Sequence, residues 1–208
     1  MSKTKNKILN TARELFNASG FSNVTIRMIA QELGMSSGNL NYHFKKREDI
    51  LEALYFEMVS VFDARVEQLG EREINFKNIK FDIQTSMERM VDYRFFWTDL
   101  YHILQLNNEI KLHFEKVYHD RMNGYDYLFQ TLNELGYLKS FESLKEEQLL
   151  VERMLGFSNT WLYNSILNQK EITKSYIELQ AESLMFMLYP YLFEKGKIEF
   201  KKVVLVTE

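Results

Sequence analysis

Residues 36–47 read SSGNLNYHFKKR, and this segment has the features of a helix that lies against duplex DNA. Gly38, near its start, allows the backbone to approach a groove closely. Asn39 and Asn41 carry amides that can pair bidentately with adenine. Basic side chains at the carboxyl end suit the flanking phosphates. The segment therefore predicts a DNA-reading helix.

The surrounding residues predict a helix-turn-helix. Leu40 and Phe44 have the spacing of the buried side of a helix, and Ser36 can cap its amino terminus. The preceding short helix has Thr25 as its cap and ends at Gly34. Two short helices separated by a tight turn are the sequence pattern of this motif.

Helical periodicity continues along most of the chain. The predicted helices combine apolar residues at spacings of three and four with caps or glycines at their ends, and cover residues 4–19, 46–69, 77–94, 96–106, 108–135, 143–168 and 172–194. Residues 70–75 are charged and lack an apolar period, which predicts a linker. Residues 198–206 alternate weakly, which allows a short strand or an ordered arm, and the sequence leaves open whether this tail packs on its own body, reaches a second copy or is disordered. One proline and 8 glycines in 208 residues favour an all-α fold.

Composition narrows the class of protein. Apolar residues make up 46% and charged residues 26%, which are ordinary globular values. The sequence has no cysteine, which excludes disulfides, thiolate metal sites and cysteine nucleophiles. Residues 1–54 carry eight Lys and Arg against five acids, a charge of +3, while the whole chain carries −3. A basic head thus precedes an acidic body, and with no apolar run of membrane-spanning length we expect a cytoplasmic protein.

Catalytic and metal-binding patterns are incomplete in this sequence. A di-iron helical bundle needs two Glu-x-x-His pairs, whereas this chain offers Asp99-x-x-His102 and four scattered histidines. A phosphate-binding glycine-rich loop and a Gly-x-Ser-x-Gly elbow are both absent. We therefore expect no enzyme activity, no metal site and no cofactor.

Residues 5–51 strongly resemble the DNA-binding head of the tetracycline-repressor-like (TetR) family of bacterial regulators. The matching positions, in order, are Ile8-Leu9, Ala12, Leu15-Phe16, Gly20-Phe21, Thr25, Ile29-Ala30, Gly34, Ser36, Gly38, Leu40, His43-Phe44, Arg47-Glu48 and Ile50-Leu51. The resemblance implies an all-α protein with a three-helix helix-turn-helix head at residues 1–48. It also implies a helical effector-binding and dimerisation domain at residues 49–208, which helix 46–69 connects to the head.

The resemblance also implies which side chains contact DNA. They are Thr25, Arg27, Ser36, Ser37, Gly38, Asn39, Asn41, Tyr42, His43, Lys46 and Arg47. Of these, Thr25, Arg27, His43, Lys46 and Arg47 are expected on phosphates and the others in or beside the groove. The family usually has an aromatic residue at the position of Asn41 and a lysine at that of Arg47. Asn41 either packs on the DNA backbone or reads a base, and we favour the base.

In the body, the resemblance implies a cavity for a small apolar or aromatic effector. Its candidate lining residues are Trp97, Tyr101, Tyr118, Met122, Tyr125 and Trp161, although such a stripe of apolar residues is more often core. Surplus apolar faces on the last two long helices predict a four-helix interface with a second copy. The candidate interface residues are Val151, Leu155, Leu162, Ile177, Leu184 and Leu188.

The resemblance predicts a dimeric regulator that binds a near-palindromic operator and is released from it by an effector. Members of the family are usually repressors, so repression is the expected mode of control. The alternative is a helical adaptor that binds proteins and whose head no longer binds DNA. The sequence identifies neither the operator nor the regulated genes nor the effector.

Overall fold

The computed structural model describes residues 3–69 and 72–205, with the backbone alone for residue 61 and residues 63–69. Within these ranges the protein consists of α-helices, two short 3-10 turns at Phe21–Asn23 and Tyr189–Tyr191, and one isolated bridge. The helices are α1 Lys3–Ser19, α2 Ile26–Glu32, α3 Ser37–His43, α4 Arg47–Leu69, α5 Phe76–Asp92, α6 Arg94–Thr98, α7 Leu100–Leu106, α8 Asn108–Glu134, α9 Leu144–Leu167, α10 Lys174–Phe186 and α11 Glu194–Val204. The predicted all-α fold with a helix-turn-helix head is confirmed.

The described residues form two compact units. The first comprises the chain through Leu69 together with Arg89–Phe114, and the second the remainder. The predicted boundary between residues 48 and 49 stays a prediction. Part of the predicted linker, residues 70 and 71, lies outside the described residues.

The head is built on one apolar core. α1 contributes Ile8, Leu9, Ala12 and Phe16, each fully buried. Burial of each larger side chain among them, such as Phe16, stabilises the folded state by about 1.5–3 kcal/mol. This core is what fixes α2 and α3 on α1.

Two predicted helices are interrupted. The predicted helix 96–106 breaks at Asp99 into α6 and α7, and the predicted helix 172–194 ends at Phe186. A 3-10 turn that contains Pro190 follows, because proline has no N–H with which to continue the helix.

For the described part of residues 198–206 the expected short strand is wrong, and the alternative in which this tail packs on its own body is the one observed. Residues up to Val204 belong to α11, whose Gly196, Phe200 and Val204 are buried at a spacing of four. Residue 206 lies outside the described residues. The helical spacing prevails because it places these three residues on one packed face.

Candidate DNA-binding site

The turn between α2 and α3 is closed by local hydrogen bonds. The Thr25 hydroxyl accepts from the Met28 N–H at 3.2 Å, and the Ser36 hydroxyl accepts from the Asn39 N–H at 3.2 Å. Gly34 has a φ of +64°, a conformation that favours glycine. The Met35 N–H donates to the Ala30 carbonyl at 2.9 Å and completes the turn. Both predicted caps are therefore present.

One face of the motif is anchored on the head core. Ile29 and Leu40 are fully buried, Ala30 is 1% exposed and Phe44 is 8% exposed. Leu40 and Phe44 are one helical turn apart, so together they fix the rotation of α3 about its axis. The opposite face of α3 is consequently turned to solvent.

The solvent face of α3 carries most of the predicted groove-reading residues. Gly38, Asn39, Asn41 and Tyr42 are exposed, and Tyr42 retains 80% of its accessible surface. Among the described residues neither asparagine amide has a side-chain hydrogen bond, so both are available to base edges. The Tyr42 ring contacts His43, with ring centroids 5.3 Å apart. Ser37 and His43 are partly buried.

Basic side chains flank this face. Arg27 on α2 and the adjacent pair Lys45 and Lys46 are exposed. The Lys46 backbone N–H donates to the Asp49 carboxylate at 3.1 Å, which satisfies one amide at the start of α4 and leaves the ammonium group in solvent. Exposed cations therefore lie on the helix that precedes α3 and directly after the end of α3.

Arg47, predicted on a phosphate, is engaged inside the head. Its Nη1 donates to the carbonyls of Phe21, Ser22 and Val24 at 3.2, 3.3 and 3.1 Å. Its guanidinium also lies over the Phe21 ring, 4.1 Å from the centroid, and Nη2 pairs with Glu48 at 3.3 Å. These contacts occupy the guanidinium group of Arg47 without a phosphate. They also hold the 3-10 turn against the start of α4.

Asp99 has a structural role that the sequence did not indicate, since it appeared there only in an incomplete metal-binding pattern. Its carboxylate accepts from the Phe21 N–H at 3.0 Å and so joins the 3-10 turn to the break between α6 and α7. Nearby, the Asn17 amide donates to the Asp92 carbonyl at 2.8 Å, and its oxygen accepts from the Phe95 N–H at 3.1 Å. The partners lie more than 70 positions apart, and no local pattern in the sequence pairs them.

A tyrosine hydroxyl joins three helices within the first unit. The Tyr93 hydroxyl donates to the Glu57 carboxylate at 2.6 Å, and Arg13 and Arg89 each approach it at 3.4 Å. Burial and then the Glu57 hydrogen bond raise the pKa of Tyr93 above its usual value. This cluster couples α1 of the head to α4 and to the end of α5.

The six predicted effector residues are divided between the two units. Trp97, 8% exposed, and Tyr101, 80% exposed, belong to the first. The Trp97 Nε1 is buried with no hydrogen-bond acceptor among the described residues. In the second unit, Tyr118, Met122 and Tyr125 are partly buried on α8. Trp161 lines a hollow of about 300 Å³ on α9 and α10.

The six predicted interface residues are packed inside their own chain. None is more than 6% exposed, so these side chains have almost no surface for a second copy. The exposed apolar side chains of α9 and α10 are Leu144, Leu149, Tyr163, Ile166, Leu167, Leu179 and Phe186. Any partner on these helices would meet these residues instead.

The described residues also bear on metal binding and on membrane insertion. No group of three or more His, Cys, Asp and Glu side chains there is placed to hold a metal ion. Likewise, none of the helices within the described ranges has the length and apolar character needed to cross a membrane.

Family models match nearly the whole chain. The model described as bacterial regulatory proteins of the tetR family matches residues 8–54, and one described as a bacterial transcriptional repressor matches residues 57–200. The second match alone covers more than half of the chain. The two matches adjoin in the order head and body.

Solved structures share the fold over most of the chain. A TetR-family regulator from Marinobacter aquaeolei VT8 superposes with a TM-score of 0.87 at 21% identity and covers 98% of each chain. A regulator from Saccharomonospora viridis in complex with choline has a TM-score of 0.70 at 22% identity, covering 93% of this chain and 100% of that one. FadR from Bacillus subtilis in complex with stearoyl-CoA has a TM-score of 0.64 at 18% identity, covering 88% and 97%.

Proposed function

Because the chain belongs to the TetR family of bacterial transcriptional regulators, we propose that it is a repressor that binds a near-palindromic operator as a homodimer. The observation that carries this proposal is the solvent face of α3. This face exposes the side chains of Asn39, Asn41 and Tyr42 to solvent. The buried side chains of Leu40 and Phe44 anchor the opposite face of the helix. Such a regulator acts in the cytoplasm, where its operator is.

The residue roles follow from the exposed positions. Asn39 and Asn41 read base edges, and Tyr42 lines the groove beside Ser36, Ser37 and Gly38. Thr25, Arg27, His43 and Lys46 contact phosphates on either side. Arg47 acts differently from the resemblance, because it positions the motif through the carbonyls of the 3-10 turn.

Selection of bound fragments from a random duplex pool at two salt concentrations tests the DNA-binding function. We expect enrichment of a twofold symmetric site whose half-sites lie about 34 Å apart or a multiple of that. The logarithm of affinity should fall with the logarithm of salt by about 0.9 per phosphate contact. No enriched site at low salt would favour the adaptor alternative.

Asn39→Ala is expected to relax one position of each half-site, with a loss of roughly 5- to 150-fold in discrimination there. The matched control is Arg27→Ala, which should weaken all sequences alike and reduce the salt slope by about 0.9. Both are read by repeating the selection with the variant proteins. If Asn39→Ala keeps wild-type selectivity at every position, the assignment of base reading to this residue is wrong.

An effector would act by favouring a head arrangement that does not fit the operator. The buried Trp97 N–H supports a ligand contact in the body, since buried donors almost always have an acceptor. Two structural neighbours are complexes with small molecules, choline and stearoyl-CoA. Within the first unit, Asp99 contacts the 3-10 turn that follows α1, and the Tyr93 hydroxyl accepts from Arg13 of α1, so both contacts would transmit a shift to the head. A coupling of ~1–3 kcal/mol would change operator affinity 5- to 150-fold.

The dimer face consists of the exposed sides of α9 and α10. On α9, Leu149, Gly156, Thr160, Tyr163 and Leu167 are exposed at spacings of three, four or seven, which places them on one stripe. On α10 the corresponding stripe is exposed as well, and its members are Ser175, Leu179, Ser183 and Phe186. Small residues between large apolar ones permit close helix packing. The stripe therefore suits a four-helix interface with twofold symmetry.

Leu179→Arg is expected to convert the dimer to a monomer, because it places a charge at the centre of the stripe on a side chain that is 55% exposed. Sedimentation velocity measures the change. Leu144→Arg is the control, since Leu144 is 79% exposed but lies off the stripe. A dimer that survives Leu179→Arg, or a wild-type monomer at micromolar concentration, would contradict this interface.

A further inference from the structure

Arg121 on α8 is a charged residue that the proposed DNA binding does not use. Its Nη1 donates to the Asn159 side-chain oxygen at 2.7 Å and its Nη2 to the Ser158 hydroxyl at 2.6 Å. Both acceptors are neutral and lie on α9. The guanidinium has five N–H donors, so these two bonds leave further donors without an assigned acceptor.

The charge of Arg121 is not balanced nearby. Within the described residues, no carboxylate forms an ion pair with it at 4.0 Å or less. Burial lowers the pKa of its guanidinium below the ordinary value, and the phenols of Tyr125 and Tyr118 offset part of that effect. Burying a charge without a counter-ion costs free energy. Proteins therefore keep such a charge mostly where it serves binding or catalysis.

The surroundings of Arg121 are largely aromatic. Tyr118 lies three residues before Arg121 on α8 and Tyr125 four residues after it, so both phenols lie on the same side of the helix as the guanidinium. Burial raises the pKa of the Tyr125 phenol above its ordinary value. The cation of Arg121 thus lies between two tyrosines of α8 and two neutral acceptors of α9.

We infer that Arg121 receives the anionic head group of the effector, and that the effector is an amphiphile with an apolar body and a negatively charged end. This inference rests on the proposed function, in which the body binds a small molecule. A guanidinium pairs bidentately with a carboxylate or a phosphate, and the adjoining aromatic side chains accommodate an apolar chain. The neutral acceptors Ser158 and Asn159 hold the fork in place without neutralising it.

A purely structural role predicts something different. Linking α8 to α9 through two neutral acceptors requires hydrogen-bond donors and no net charge. A neutral donor such as glutamine would then serve nearly as well, and the charge of a ligand would not affect its affinity. Ligand charge and residue charge together separate the two roles.

The test compares three probes of equal chain length on the full-length protein without DNA: decanoate, 1-decanol and decyltrimethylammonium. Isothermal titration at pH 7, where decanoate is ionised, measures binding. We expect decanoate to bind wild type at least 10-fold more tightly than decanol, with decyltrimethylammonium weakest. Arg121→Gln should lose at least 10-fold for decanoate and be unchanged for decanol, while Arg121→Lys should retain part of the preference.

Equal affinities of wild type for decanoate and decanol, no saturable decanoate binding, or an unchanged decanoate affinity in Arg121→Gln would each overturn the inference. If Arg121→Gln does not fold, Arg121→Lys and the wild-type acid-to-alcohol ratio decide. The operator selection is independent of these titrations. Decanoate binding through Arg121 without any selected operator would leave the anion site standing and remove the repressor function.

Discussion

Replacing Arg47 with lysine is expected to destabilise the head nearly as much as replacing it with alanine, although lysine keeps the charge. The guanidinium reaches three carbonyls of residues 21–24 and stacks on the Phe21 ring 4.1 Å away. Lysine is one bond shorter and has no planar group to stack. Since the side chain is 22% exposed, we expect a loss of about 2 kcal/mol in the free energy of unfolding.

Urea denaturation measures this loss of stability in four proteins: the wild type, Arg47→Lys, Arg47→Ala and Lys46→Ala. Lys46 is the adjacent exposed cation, so its removal should weaken DNA binding and leave the unfolding free energy within about 0.5 kcal/mol of wild type. The contrary result is an Arg47→Lys variant with wild-type stability and wild-type operator affinity. That result would return Arg47 to the phosphate role that the resemblance implies.

The head could be predicted because its signals are local. Thr25 and Ser36 cap the helices that follow them, and Gly34 adopts the positive φ that the turn requires. Each of these features depends on a few neighbouring residues. The apolar spacing of Leu40 and Phe44 likewise determines which face of α3 is exposed.

The contacts of Arg47 and Asp99 could not be predicted in the same way. Arg47 bonds to carbonyls more than 20 positions earlier, and Asp99 to an amide 78 positions earlier. A side chain's type gives its donors and acceptors but not which distant backbone group meets them. The break between α6 and α7 coincides with the Asp99 contact, so the predicted single helix failed where tertiary structure prevailed.

The predicted dimer residues show a second limit of periodicity. An apolar series such as Val151 and Leu155 identifies a face that is removed from water, but not whether the same chain or a partner covers it. Here the chain itself covers that face, and shorter exposed stripes with Leu179 and Tyr163 remain. Distinguishing the two requires the burial of each side chain, which a sequence does not contain.

Gly196→Ala is expected to be among the most destabilising single-methyl additions to the described part of the chain. Gly196 is buried in α11, and a Cβ there would collide with the Tyr137 carbonyl oxygen and lie 3.0 Å from the Tyr137 Cα. The obstacle is backbone, which cannot rotate away as the tip of a side chain can. That backbone is itself fixed, because the same Tyr137 carbonyl accepts from the Phe193 N–H at 2.9 Å.

To admit the methyl group, α11 would have to move away from the Leu138–Leu192 bridge and uncover Phe200, which is fully buried against Phe76. We expect a loss of about 3 kcal/mol, measured by urea denaturation. Gly124→Ala on α8 is the matched control: nothing lies within 4 Å of its added Cβ, so helix propensity should stabilise it by up to about 1 kcal/mol. If Gly196→Ala and Gly124→Ala changed the unfolding free energy equally, α11 would not pack directly against the backbone of residues 137 and 138. Close packing would then not explain why position 196 is a glycine.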